Sequence, residues 1–252
     1  MADRDRMSTS FGAAADAYEA GRPGYPLPVV EWMLSLADPV VSRLRVADVG
    51  AGTGKLTRAV VEAGAEVVAV DPDADMLTAL QGHVLGVPTF VGTAESLPLP
   101  DASVDAVLLG QAWHWVEVEP ASAEVARVLR PGGVLGLVWN IRDEEVPWVA
   151  ELTRVMHGSH AEEMLAGDGV RVAEPFGVLE TQTWRWTRTV TRAALQNMVA
   201  SRSYIITAAE DERHRILADV DELFTAHRRL DATGVEVVDL PYRTEAFRTA
   251  RP

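Results

Sequence analysis

Apolar residues come along this chain in short runs, and between the runs they recur at helical spacing. RVADVG (45–50) is an apolar run ending in a glycine; Leu56, Val60 and Ala63 then follow at i, i+4 and i+7, and Gly64 closes that helix. EVVAVD (66–71) predicts a second strand and DADMLTALQ (73–81) a second helix. TFVG (89–92) predicts a third strand, and VDAVLLG (104–110) a fourth, continuous enough in apolar residues to be buried on both faces. Ala121, Val125, Val128 and Leu129 mark the next helix, stopped by Pro131-Gly132-Gly133, and VLGLVWN (134–140) predicts a fifth strand. Strands alternating with helices at this spacing predict a parallel sheet with helices on both faces.

Beyond residue 140 the pattern changes. Residues 144–166 read as helical, with Pro147 near the start. TQTWRWTRTV (181–190) alternates with period two and puts Trp184 and Trp186 on one face. Residues 192–200 and 209–230 read as helical, and VEVVDL (235–240) as a last strand. The expectation is one domain over 1–252, α/β and doubly wound, with a mostly parallel seven-stranded sheet. It divides into an N-terminal helical cap (1–43), a core (44–140), and a helical insertion with closing strands (141–252).

Charge narrows the partners. The chain has 37 acidic against 23 basic residues, a formal net charge of −14. A field of that sign repels phosphate backbones and anionic lipid heads, so neither nucleic acid nor a membrane is an expected partner. There is no cysteine, which removes disulfides, thiolate metal sites and thiol nucleophiles together. MADRDRM at the start is charged and has no apolar h-region, and no apolar run is long enough to span a bilayer, so a cytoplasmic location is expected. His157 and His160 share a helical spacing, but Gly158 interrupts it and no third ligand is fixed; no metal site is expected.

The chemistry starts at DVGAGTG (48–54). Three glycines at alternate positions after a strand let the backbone turn tightly and approach a ligand. The helix that begins near Gly54 points its positive end at that ligand. A dinucleotide loop needs a third glycine where Lys55 stands. A phosphate loop needs one where Val49 stands, and Ser or Thr in place of Leu56. Asp71 ends the second strand, the position that faces a ribose in a doubly wound sheet, and its carboxylate can accept from both hydroxyls. Together these call for a nucleoside without phosphates.

DVGAGTG, VDP with Asp71, GTAESLPLPDASVDAV and RVLRPGG together resemble the class I S-adenosylmethionine-dependent methyltransferases with a type 11 methyltransferase domain, over about residues 44–140. The resemblance implies a Rossmann-like methyltransferase fold, with S-adenosylmethionine as cofactor and S-adenosylhomocysteine as product. It implies that Asp48, Gly50, Ala51, Gly52, Thr53 and Gly54 pass under the methionine part and that Asp71 holds the ribose. Pro72 and Met76 would lie by the adenine, with Thr93-Ala94-Glu95 along its edge. Many relatives carry Asp where Thr93 stands; the backbone N–H of Ala94 remains able to serve the ring. FGAAADAYEAGRPGYP, QAWHWV, VWNIRDE and SRSYI (201–205) are similar to a small-molecule branch that includes trans-aconitate methyltransferase-like members. Quinone-type C-methyltransferases share the core motifs but usually not the RPGYP and WHW stretches.

QAWHWV (111–116) follows the fourth strand and so opens onto the cofactor crevice. The resemblance implies that the Gln111 carbonyl meets the cofactor's amino group. Trp113 and Trp115 would wall the chamber, since aromatic faces attract a sulfonium cation. His114 has the intrinsic pKa of a general base, which a hydroxyl acceptor needs. A carboxylate acceptor needs instead an arginine clamp, for which Arg22, Arg142 and Arg202 are candidates. Tyr18 and Arg22, with Tyr25, precede the first strand and would cap the cleft. The expected activity is methyl transfer to a small-molecule acceptor, at a hydroxyl or carboxylate oxygen. C- or N-methylation and a non-catalytic cofactor-binding regulator are the alternatives.

Overall fold

The computed structural model describes residues 22–37, 43–156, 162, 164–165, 167, 169–200, 205 and 208–252. Helix α1 (Leu27–Leu34) leads into β1 (Arg45–Val49), α2 (Lys55–Glu62), β2 (Glu66–Asp71), α3 (Ala74–His83) and β3 (Thr89–Val91). After β4 (Val104–Gly110) come a single 3-10 turn (Trp113–Trp115), α4 (Val118–Val128) and β5 (Leu129–Arg142). The later elements are α5 (Pro147–Met156), β6 (Glu180–Thr191), α6 (Arg192–Ala200), α7 (Glu210–His227), β7 (Arg229–Leu230) and β8 (Glu236–Ala250).

The strands lie in the order β3-β2-β1-β4-β5-β8-β6, with the short β7 paired to β8 off that path. The first five pair in parallel, while β8 runs antiparallel between β5 and β6. The expected seven-stranded, mostly parallel, doubly wound sheet is therefore present, with β7 as an added two-residue strand. Strand order reverses between β1 and β4, so their C-terminal ends open a crevice at the switch point.

Burial follows the alternation of the strands. On one face Val107, Leu109, Leu135, Leu137 and Trp139 pack with Val125 of α4. On the other Val46, Leu108, Val134 and Val138 pack with Met33 of α1 and Leu56 and Val60 of α2. A third core joins Val149, Leu152, Leu195, Met198, Val220 and Phe224 of α5, α6 and α7 to Val190, Val238 and Leu240.

Three element boundaries depart from expectation. The last strand runs to Ala250, well past residue 240, because Pro241 needs no N–H there: it pairs with Thr187 while its carbonyl accepts from Asp143 N (3.0 Å). β5 begins at Leu129, so Pro131-Gly132-Gly133 lies in an irregular strand start, where the register with β4 shifts. The helix expected over 209–230 stops at His227, and Arg229–Leu230 pairs with β8. Trp184 and Trp186 do share one side of β6: Trp184 meets Trp32 edge-on at 5.5 Å, and Trp186 stacks on Tyr242 at 5.0 Å.

Candidate functional site

Beyond Val49 the chain turns back on β2: the N–H groups of Gly50 and Ala51 both donate to Val70 O (2.8 and 3.2 Å). Gly50, Gly52 and Gly54 have φ of +68°, +54° and +89°. Their surroundings differ. A Cβ at Gly50 would lie 2.6 Å from Ala112 Cβ, and one at Gly54 2.8 Å from Leu80 Cγ, but one at Gly52 would meet nothing within 4 Å. Gly50 and Gly54 let the loop pack on the protein, while Gly52 borders open space that a side chain would fill. Thr53 and Ala51 are buried in the same loop.

Three aspartates surround this loop. Asp71 Oδ2 accepts from Gly52 N (2.8 Å) and Oδ1 from Asp73 N (2.9 Å), so the acid at the end of β2 fixes the glycine loop. Burial raises its pKa against those two bonds. Asp48, fully buried at the end of β1, accepts from Thr57 Oγ1 at 2.5 Å through Oδ2, while its Oδ1 has no hydrogen-bond partner. Burial pushes the Asp48 carboxyl up to about 7, and the neighbouring Asp71 charge adds to the rise. Asp73 caps α3 through Oδ1 (2.9 Å to Asp75 N, 3.3 Å to Met76 N), and its Oδ2 is buried without a partner. The two orphaned, buried carboxylate oxygens of Asp48 and Asp73 fit a ligand that is cationic and carries donor groups. A polyphosphate does not fit them.

Pro72 is half-buried and Met76 buried under the same strand end. Thr93 is exposed and exchanges backbone hydrogen bonds with Ser96 in a tight turn that buries Ala94. Glu95 Oε1 accepts from Glu117 N (2.9 Å), which ties that turn to the start of α4.

Gln111 stands at φ +56° directly after β4, a left-handed residue that is not glycine. Its N–H donates to Val138 O (2.9 Å) and its Nε2 to Asn140 O (3.0 Å), so β5 holds it from both ends. Trp113 is only 2% exposed; its indole N–H donates to Arg171 O (2.8 Å) and its ring lies in the core with Ala94, Leu97 and Val125. His114 is half-buried, 4.8 Å from the ring of Trp115, and its Nδ1 accepts from Trp139 Nε1 at 3.3 Å. An indole N–H can only donate, so a neutral His114 carries its proton on Nε2.

The glycine loop, Asp71, Ala94, Gln111 and the bracket thus follow the C-terminal ends of β1, β2, β3 and β4. Arg142 lies further along β5, 4% exposed, with Nη2 donating to Glu162 Oε1 (2.8 Å) and Nε to Thr153 Oγ1 (3.2 Å). Arg22 is half-buried just ahead of Tyr25. Tyr18, Arg202, His157 and His160 lie outside the described residues. Asn140, Thr244, Asp73 and Thr57 were not anticipated: Asp73 and Thr57 hydrogen-bond Asp71 and Asp48, and Thr244 hydrogen-bonds Asn140. Only Asn140 carried a signal, as a polar residue ending an apolar run. Among the described residues no group of three or more His, Asp or Glu could hold a metal ion, and no helix is long and apolar enough to cross a membrane.

Comparison with known proteins agrees with the loop and the sheet order. The family model described as "Methyltransferase domain" matches residues 47–137. An uncharacterised methyltransferase of Mycobacterium tuberculosis is 47% identical over 246 residues, 97% of each chain. A malonyl-[acyl-carrier protein] O-methyltransferase of Methylococcus capsulatus is 40% identical over 139 residues, 51% of this chain and 49% of that protein. The structure of a candidate type II methyltransferase from Anaeromyxobacter dehalogenans superposes with a TM-score of 0.64 at 22% identity, covering 91% of this chain and 98% of that one, and so shares the fold. The chain belongs to the class I S-adenosylmethionine-dependent methyltransferases, and is an enzyme of that class.

Proposed function

We propose that the enzyme methylates a carboxylate oxygen of a small organic acid. The observation that carries this reading is the hydrogen bond from Trp139 Nε1 to His114 Nδ1. It leaves the imidazole with a proton on Nε2, where it can donate but cannot take a proton from an acceptor. A hydroxyl acceptor must lose a proton on methylation and a carboxylate need not. The O-methylating relative named for a malonyl group, which ends in a free carboxyl, supports the same direction. The motifs RPGYP and WHW support the finer placement in the trans-aconitate-like branch.

When bound, S-adenosylmethionine supplies a methyl group already activated on a sulfonium, so positioning supplies most of the rate. The glycine loop at Gly52 lets the methionine part approach the backbone, and the orphaned Asp48 oxygen receives a donor or positive charge there. Asp71 keeps lone pairs beyond its two backbone bonds for ribose hydroxyls. Pro72 and Met76 flank the adenine, with the Ala94 N–H at its edge and Thr93 and Glu95 shaping that turn. Gln111 and Trp115 close the chamber and exclude water, while Trp113, packed in the core, supports them from behind. Arg22 and Arg142 hold the acceptor's carboxylate, which at Arg142 takes the place of Glu162; Tyr18 belongs to the cap.

The test is incubation with methyl-labelled cofactor and a panel of small di- and tricarboxylic acids, followed by mild base. A methyl ester releases labelled methanol under those conditions. Label that stays with the product after base, or that appears only with phenol, alcohol or amine acceptors, overturns the carboxylate assignment.

A further inference from the structure

Asn140 makes a hydrogen bond in each direction through a buried relay whose polarity is set from one end. Trp186 Nε1 donates to Thr244 Oγ1 (2.8 Å), and an indole N–H has no other role. Thr244, fully buried, therefore turns its own proton onto Asn140 Oδ1 (2.6 Å). With the amide oxygen so assigned, the Asn140 NH2 faces the Gly24 carbonyl and donates to it at 3.0 Å. On its backbone side the Asn140 carbonyl accepts from Gln111 Nε2 at 3.0 Å. One residue, 8% exposed, thus touches the segment before α1 and the residue that follows β4.

The geometry of that segment gives the relay a consequence. Gly24 precedes Tyr25, whose phenol oxygen would lie 2.6 Å from a Cβ at Gly110, the last residue of β4. The 22–26 segment is therefore seated on the strand that delivers Gln111 to the crevice. We infer that Asn140 is a positioning residue: it seats the N-terminal segment over the crevice and sets Gln111 beside it. Through Thr244 and Trp186, the antiparallel strands β8 and β6 set the direction of its amide. This role rests on the crevice being the cofactor site proposed above.

Three variants grade the relay. Asn140→Asp keeps the shape and the acceptor for Thr244 but turns an oxygen toward the Gly24 carbonyl. Hydrogen exchange at the Val29 amide of the ligand-free enzyme, which donates to Pro26 O at 3.0 Å, should quicken about tenfold or more, and S-adenosylhomocysteine should bind about tenfold more weakly in calorimetry. Thr244→Val, which frees the amide to turn over, should give about a threefold change in both. Trp186→Phe should give the least. A merely structural role would lower the melting temperature and speed exchange throughout the sheet, and that pattern overturns the inference. So does wild-type exchange and affinity in a folded Asn140→Asp protein. If Asn140→Asp does not fold, unchanged exchange at the Val29 amide in Thr244→Val overturns it. Exchange is read without ligand, so failure of the wild-type enzyme to bind S-adenosylhomocysteine refutes the proposed cofactor crevice while exchange still decides the seating.

Discussion

From β3 to β5 the strands are parallel, and the polar groups of the proposed cofactor site stand at or just beyond their C-terminal ends. Backbone amides hold those groups: Gly52 N and Asp73 N on Asp71, Val70 O on Gly50 and Ala51. From β5 to β6 the strands turn antiparallel, and side chains reach one another across strands and helices instead. Arg142 meets Glu162, Arg185 meets Asp143 at 3.1 Å, and Trp186 meets Thr244. A backbone-held site depends on conformation, and glycines and strand ends supply that locally. A side-chain-held site depends on pairs distant in sequence, where one substitution can redefine what is bound.

That contrast predicts its largest effect on cofactor binding in the glycine loop. Gly52→Ala adds a methyl to open space, at a cost of about 1 kcal/mol for the left-handed conformation. The protein should stay folded, with S-adenosylhomocysteine affinity lower by roughly 100-fold or more, since the methyl stands where the ligand meets the backbone. Gly50→Ala, 2.6 Å from Ala112, should instead lose stability. Wild-type affinity in folded Gly52→Ala would show that the open space belongs to something else.

In the other half, removal of Arg142 takes the paired guanidinium away from Glu162. Arg142→Met should cost about 3–5 kcal/mol in denaturant unfolding, and the double variant Arg142→Met with Glu162→Leu should recover most of it. No recovery in the double variant would mean that Arg142 packs rather than pairs.

Asp71→Ala tests the backbone-held acid directly. It should weaken S-adenosylhomocysteine binding by about 1.5–3 kcal/mol, the scale of charge-assisted hydrogen bonds. Unchanged affinity would confine Asp71 to its bonds with Gly52 and Asp73.

The smallest effect belongs to Asp48. Its carboxyl is pushed up to about 7 when folded, against an ordinary 3.8. Between these values the unfolded chain has released a proton that the folded ligand-free protein keeps, so this group's contribution to stability falls as pH rises from about 4 through 7. Comparing wild type with Asp48→Asn should isolate a difference on the order of 1 kcal/mol between pH 6 and pH 8, with the variant's curve the flatter. A cationic cofactor favours the charged form, so its binding should release a proton near neutral pH in the wild type only. Parallel pH curves for the two proteins would show that Asp48 titrates as an ordinary acid.

The parallel half was legible because its determinants are local. Val46, Val67, Val107 and Leu135 stand in runs that can only be buried strands. DVGAGTG and Asp71 carry their meaning through position at a strand end. The antiparallel half was legible only in part. Period two in TQTWRWTRTV marked β6, but Pro241 and the charged alternation after it hid ten residues of β8. The bracket QAWHWV was located correctly at the end of β4. Which nitrogen of His114 holds the proton was not readable there, because Trp139 lies 25 residues away and meets it only across two strand ends.

By itself the sequence determined a doubly wound sheet, a glycine loop unsuited to phosphates and an acid at the end of β2, because hydrophobic period and glycine conformation act over a few residues. Tertiary structure alone decided that Gly52 borders open space while Gly50 does not, that Arg142 pairs with Glu162, and that Asn140 joins the N-terminal segment to Gln111. Those outcomes depend on distances between atoms far apart in the chain. Packing of the sheet sets such distances, and no local pattern encodes them.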